Sequence, residues 1–481
     1  MKTLKLLFGK QAMIVCMVGL LYSLPIYSRL PTATEIAKKM KMGWNSGNSL
    51  EVPEGGETGW KNPKLSQELI DAVSKAGFNT IRIPCAWDSY ADQTTLEIQP
   101  ERLARVKEVI DYCYKHNMYI ILNCHWDNGW LELNVNEEKK EIVNKKQKAY
   151  WTQIANYLKE YDEHLLFAGA NEPHSENAAQ MEILYSYHQS FIDAVRATGG
   201  NNSSRVLVVQ GPFTDIKKTN ELWYKMPDDP IKDRLIVEIH YYTPWNFCGL
   251  DKDESWGKMF YFWGKNFHSK TNPERNATYG EEDEADQLFK MMKIKFVDKG
   301  IPVICGEYSA RKRLKLSEPD LSLHLASRAY YYRYITNAMI KNGVIPYYWD
   351  NGYQDECALF DRSSGVVTDK VALDSLMAGA NVKTPIHKQP ELHNILANKL
   401  LKVLINRVYN DIEIQLFLQK SGKVNISVIN SFGQEVAHFD NLYFKQGFNS
   451  IHWKVNKVSP GLYFIKLSTH QDVVTRTFIL F

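Results

Sequence analysis

The sequence predicts an α/β protein, a (β/α)8 barrel followed by a small all-β sandwich. Three observations carry that expectation. Short apolar runs alternate with longer amphipathic ones from about residue 40 to 380. No glycine-rich phosphate turn follows the first run, where GWNSGNSLE stands instead, and this disfavours an open doubly wound sheet. The last stretch, 410–481, switches to a two-residue alternation with turns at Ser421-Gly422, Phe432-Gly433, Gln446-Gly447 and Pro460-Gly461.

Eight runs read as strands: Lys41–Asn45, Phe78–Pro84, Met118–His125, Leu165–Asn171, Arg205–Gln210, Leu235–Tyr241, Ile301–Glu307 and Val344–Asp350. They are nearly continuous in apolar residues, as expected of parallel strands buried on both faces. Between them, apolar residues spaced by three and four predict helices over Ser66–Ala76, Pro100–His116, Glu141–Tyr161, Glu176–Thr198, Glu284–Asp298 and Leu321–Lys341. The segment Thr243–Asn276 is long, aromatic and without helical spacing. Loops of that length in a compact domain usually serve function. The barrel is expected over 34–382, a polar connector over 383–404 and the sandwich over 405–481.

Composition narrows the classes. With 481 residues, 44% of them hydrophobic and 23% charged, the chain can bury a barrel-sized core plus a second module. A net charge of +3 leaves no broad footprint for nucleic acid, which is not expected as a partner. Residues 1–28 read as an export leader, with Lys2, Lys5 and Lys10 ahead of the apolar run Ala12–Ser23. Pro25 and Arg29 cut that run too short for a comfortable membrane span. Cys85, Cys113, Cys124, Cys248, Cys305 and Cys357 share no regular spacing and read as small buried hydrophobes, not as a disulfide framework.

In a barrel of this kind the active site gathers at the C-terminal ends of the strands. Those ends carry Arg82, His125, Asn171 with Glu172, His240 with Tyr242, Glu307 and Trp349. A single polar residue at a strand end is ordinary, because strand ends meet solvent. A whole set of proton-handling groups at one rim is not. Glu172 and Glu307 end strands that face each other across the mouth, and two opposed carboxyls are the minimum equipment for glycoside hydrolysis. Pro173 removes a backbone donor and restricts Glu172 before it. Arg82 is placed to keep Glu307 ionised, Tyr242 to donate to it, and His240 to orient Glu172. Asn171 is suited to a sugar 2-hydroxyl and Trp349 to a flat sugar face. Metal catalysis is the competing reading of His125, His240 and Cys124. Adjacent residues on a strand point to opposite faces, so Cys124 and His125 are poor joint ligands; no metal and no cofactor are expected.

The segments GWNSGNSLE, GFNTIRIP, YIILNCH, AGANEP, EIHYYTPWNF, VICGEY and YYWDNG resemble glycoside hydrolase family 5, the cellulases and mannanases, over about residues 40–380. The eight invariant positions of that family match Arg82, His125, Asn171, Glu172, His240, Tyr242, Glu307 and Trp349. The resemblance implies Glu172 as acid/base, Glu307 as nucleophile and an open cleft for endo action. Two departures, HWDNGW where relatives often read HHDGGW and GNSLE where they read GNTLD, fall at the neighbouring subsites. For the substrate itself, Trp44, Trp130 and Trp245 are candidate stacking platforms, and Asn45, Asn48 and Asn246 candidate hydroxyl partners.

INSFGQEV, QGFNSIHW, SPGLYFIKL and VVTRTFIL in the tail resemble the sorting domain of type IX secretion. A carbohydrate-binding sandwich is the competing reading, but the tail aromatics fall mostly within alternating strands, where packing accounts for them. The expectation is therefore a monomeric, secreted or surface-held retaining endo-β-1,4-glucanase. Its partners would be a β-glucan and the secretion machinery. Xyloglucanase, β-mannanase and a non-catalytic glycan-binding barrel stand as alternatives.

Overall fold

The computed structural model describes residues 31–382 and, apart from short stretches, 403–480. The leader read over 1–28 and most of the connector read over 383–404 lie outside the described residues.

The first region is a closed barrel of eight parallel strands in sequence order: β1 (Gly43–Ser46), β2 (Thr80–Ile83), β3 (Tyr119–Asn123), β4 (Leu165–Ala168), β5 (Leu207–Gln210), β6 (Leu235–Tyr241), β7 (Val303–Tyr308) and β8 (Val344–Asp350). Ten helices accompany them: α1 (Ala33–Ala37), α2 (Gln67–Lys75), α3 (Pro100–Tyr114), α4 (Lys140–Tyr157), α5 (Ala178–Ala197), α6 (Ile216–Leu222), α7 (Trp245–Cys248), α8 (Glu282–Lys295), α9 (Asp320–Lys341) and α10 (Lys370–Gly379). Several strands stop short of their predicted ends. His125, Asn171 and Glu172 stand in the loops just past β3 and β4, because the chain must leave the ladder there to turn into the cleft.

Two apolar cores flank the barrel wall. The outer one packs strands against helices, with Trp151, Phe191, Val209, Phe289 and Tyr331 among its fully buried members. The inner one fills the lower barrel with Ile121, Leu166, Val208, Ile236, Ile304 and Tyr347. Helix α1 closes the floor with Ala33 and Ile36, and a Thr32–Glu35 capping box fixes its start. Above these apolar layers the inward side chains turn polar.

One irregularity shapes the mouth. On β6 and β7, Ile239 pairs with Cys305 but the next residue, His240, pairs with Glu307. The skipped residue is Gly306, a bulge that swings Glu307 opposite His240. The long segment after β6 is not an open loop. Phe247, Phe260, Phe262, Trp263 and Phe267 are buried. The Arg313 guanidinium donates to the carbonyls of Asn246, Phe247, Leu250 and Phe260, holding the segment as a unit.

The second region is antiparallel throughout, with β9 (Val403–Val408), β10 (Asp411–Leu418), β11 (Gly422–Asn430), β12 (Glu435–Phe444), β13 (Gly447–Lys454), β14 (Gly461–Ser468) and β15 (Val473–Leu480). Sheets ordered β13-β10-β9 and β12-β11-β14-β15 enclose one core of Ile412, Ile414, Ile426, Trp453, Tyr463 and Ile465. Trp453 and Tyr463 are core residues, as alternation predicts; Phe432 instead caps a turn and is 75% exposed.

A methyl group on Gly306 would stand 1.8 Å from Glu238 Oε1. Gly306→Ala is therefore expected to cost about 1–3 kcal/mol through overpacking. Thermal unfolding checks this, and an unchanged melting temperature would show that the bulge tolerates a side chain.

Candidate active site

The register of the strands brings the polar residues to one level. Asn45 on β1 pairs with Arg82 on β2 and with Trp349 on β8. Residues 238 and 240 share a face of β6, two apart, so both enter the barrel.

Arg82 is the hub. It is fully buried, and its Nη1 donates to Glu307 Oε1 at 2.9 Å and to Asn45 Oδ1 at 3.1 Å. Its Nη2 donates to Asn171 Oδ1 at 2.7 Å, and its Nε forms an ion pair with Glu238 Oε1 at 2.8 Å. His240 is the second cation. Its Nδ1 lies 2.7 Å from Glu172 Oε1 and 3.8 Å from Glu307 Oε2, and its Nε2 lies 3.3 Å from Glu238 Oε1. Tyr242 donates its hydroxyl to Glu307 Oε2 at 2.9 Å. An oxygen of Glu172 and one of Glu307 lie within 4.8 Å of each other and of a His240 ring nitrogen.

The electrostatics follow from this packing. Burial works against the His240 imidazolium, but Glu307, Glu172 and Glu238 outweigh it and lift its pKa to about 10. Burial pushes the Glu238 carboxyl up, and Arg82, His240 and Gln210 bring it below the ordinary value. For Glu307 burial leads and raises the pKa, Glu172 adds to it, and His240, Arg82 and Tyr242 pull the other way. His125 is driven well below its usual range by burial and by the charges of Arg82 and His240, which leaves a neutral ring. That ring stacks on Trp349 with centroids 5.7 Å apart and planes 7° from parallel.

A cluster of two carboxylates and an imidazole has the donor types of a metal site. Here both imidazole nitrogens are taken up by carboxylates, Nδ1 by Glu172 and Nε2 by Glu238. Asp162, Glu163 and His164 form another such group, in the turn before β4.

The structure gathers all eight rim residues, while the outer substrate residues separate. Trp44 is fully buried, edge-on to Phe360, with its Nε1 donating to Asp350; it has no face for a sugar. Asn45 spends its amide on the Gly306 and Tyr348 carbonyls and is a brace under the cleft. Trp130 packs edge-on to Tyr150 and is 8% exposed, so it too is core. Asn246 is tied up by the Lys258 carbonyl and the Tyr279 hydroxyl. These four expectations are corrected by burial. Asn48 is half-buried, with its carbonyl accepting from Asn62. Trp245 is 49% exposed and stands edge-on to Tyr242, and Trp126, beside His125, is 39% exposed.

Two buried carboxylates escaped the sequence reading. Glu238 is a charged residue in the middle of an apolar strand, and that anomaly was the available signal. Glu132 follows β3 in an irregular loop that carries no periodic signal. Burial and then the charge of Glu172 raise its carboxyl to about 7, against the Glu172 backbone N–H and the Asn171 amide.

A barrel whose mouth sets two glutamates a sugar's width apart, over a buried arginine and a protonated histidine, defines a glycoside hydrolase. The family profile described as "Cellulase (glycosyl hydrolase family 5)" matches residues 44–355, and the chain belongs to that family. A profile for a secretion system C-terminal sorting domain matches residues 406–480. Endoglucanase A of Paenibacillus barcinonensis is 34% identical over 376 residues, covering 72% of this chain and 90% of the relative. A xyloglucan-specific endo-β-1,4-glucanase of Bacteroides ovatus is 33% identical, covering 75% of each. Among solved structures, a xyloglucan-specific β-1,4-glucanase from a ruminal metagenomic library is similar with a TM-score of 0.68. It is 40% identical, and the match covers 73% of this chain and 97% of that one.

Glu238→Ala would leave Arg82 buried with one fewer counter-charge. Such losses cost about 3–5 kcal/mol, so the denaturant midpoint should fall sharply. A midpoint equal to that of the parent would rule out Glu238 as the counter-ion on which the site rests.

Proposed function

We propose that this chain is an exported, retaining endo-β-1,4-glucanase in which Glu307 is the nucleophile and Glu172 the acid/base. The single observation that carries the mechanism is the approach of the two carboxyl groups, with oxygens within 4.8 Å. Retaining glycosidases hold their carboxyls about 5–5.5 Å apart, whereas inverting ones leave room for a water between them.

Glu307 attacks the anomeric carbon while Glu172 passes its proton to the departing glycosidic oxygen. The glycosyl–Glu307 ester is then hydrolysed by a water from which Glu172 takes a proton. The two carboxyls differ in setting as these roles require. The Glu307 side chain is 7% exposed and held by Arg82 and Tyr242, whereas Glu172 is 39% exposed, open to leaving group and water. Asn171, gripped by Arg82, is oriented toward the sugar 2-hydroxyl, and the Trp349–His125 stack offers the flat wall. Trp245 and Trp126 are exposed rings available to more distant sugars.

Xyloglucan is a second reading for the preferred polymer. It is favoured by the xyloglucan-specific relatives at 33% and 40% identity, whose matches cover most of both chains. Release assays on carboxymethylcellulose, xyloglucan and mannan should give products from the two glucans; hydrolysis of mannan alone would overturn the glucanase reading. In the same assays Glu307→Ala should abolish turnover, with azide restoring cleavage of an activated glycoside, and undiminished turnover would remove Glu307 as nucleophile.

The pH profile carries its own check. Because the Glu307 pKa is raised above 4.5, the ionised nucleophile is lost as pH falls through a value above the ordinary one. The acid limb of kcat/KM should lie there. Tyr242→Phe removes a donor that stabilises the ionised form, so that limb should move to still higher pH. A limb that stays put or moves down would refute the assignment. Export is inferred from the leader over 1–28 together with the sorting domain, which acts through the secretion machinery.

A further inference from the structure

The acid/base Glu172 faces a positional problem. Its carboxyl is partly open to solvent and, among the described residues, has one close side-chain partner, His240. Its aim therefore depends on the backbone that carries it, and that backbone lies past the end of β4, outside the ladder. Pro173 follows directly and has no N–H to anchor.

The loop after β3 supplies what is missing. Glu132 Oε1 accepts the Glu172 backbone N–H at 2.7 Å, and the Glu132 carbonyl accepts the His174 N–H at 2.9 Å. One residue thus grips the chain on both sides of Pro173. The Pro173 carbonyl is held in turn by the Phe213 N–H at 2.8 Å. Glu132 is 3% exposed, and its carboxyl is engaged by the backbone that carries Glu172.

We propose that Glu132 is a positioning residue that aims the acid/base, clamping the Glu172-Pro173-His174 segment through its side chain and its carbonyl. The inference rests on the assignment of Glu172 as acid/base. It concerns one half of the chemistry only: proton delivery to the leaving oxygen, not nucleophilic attack.

That division gives the test. Glu132→Asp keeps the carboxyl but withdraws the acceptor by one methylene, and Glu132→Gln keeps the reach with an amide oxygen. Each is assayed by kcat/KM on a β-glucan, whose leaving group needs a proton, and on dinitrophenyl cellobioside, whose leaving group does not. Glu172→Ala runs alongside, and thermal melting reports the fold. A displacement of about 1 Å at a reacting group costs on the order of 100-fold. Glu132→Asp is expected to lose on the order of 10- to 100-fold on the polymer and only about 2-fold on the activated glycoside. Glu132→Gln should recover most of the polymer loss. Equal losses of Glu132→Asp on both substrates, or none on either, would overturn the inference while Glu172→Ala still shows the leaving-group dependence. If Glu172→Ala lacks that dependence, the acid/base assignment itself falls, and the inference with it.

Discussion

The site depends on a neutral quartet of buried charges. Arg82 and His240 supply two positive groups, Glu238 and Glu307 two negative ones, and all four are shielded from solvent. A lone charge at that depth would be forced neutral, since desolvation costs several kcal/mol per ion even after relaxation. Paired, Arg82, His240 and Glu238 hold one another ionised. Glu238, as fully buried as Arg82, supplies counter-charge to both Arg82 and His240 beneath the cleft.

From this quartet the asymmetry of the two facing carboxyls follows. Glu307 lies inside the network, accepting from Arg82 and Tyr242, so its oxygens are fixed in direction. Glu172 lies at its edge, touching the network only through His240. Two glutamates of identical chemistry thus receive unlike environments, as the proposed division between attack and proton transfer requires. The apolar layers below serve the same end. Ile121, Leu166, Ile236 and Tyr347 exclude water from the barrel floor, so the hydrogen bonds above them act at reduced screening.

The bulge at Gly306 links the fold to the chemistry. Without the skipped residue, regular pairing would not set Glu307 opposite His240. The bulge in turn requires glycine, because the Glu238 carboxylate occupies the space a β-carbon would take. The local departure from regular β-structure and the buried counter-ion are therefore one feature.

The barrel, the sandwich and the eight rim residues were legible in the sequence, because each follows from local order. Periodicity marks strands and helices within a dozen residues, and a parallel barrel brings strand ends to one rim whatever the loops do. Burial was not legible. Trp44, Asn45, Trp130 and Asn246 look like surface groups in the sequence, and closure of the barrel turned them inward. Glu132 and Glu238 gained their meaning from partners 40 and 156 positions away, Glu172 and Arg82. Which residue types stand at the rim was set by local spacing. Which charges face one another, and which rings keep a face for sugar, were set only when the distant strands closed, because burial and pairing are properties of contacts between segments.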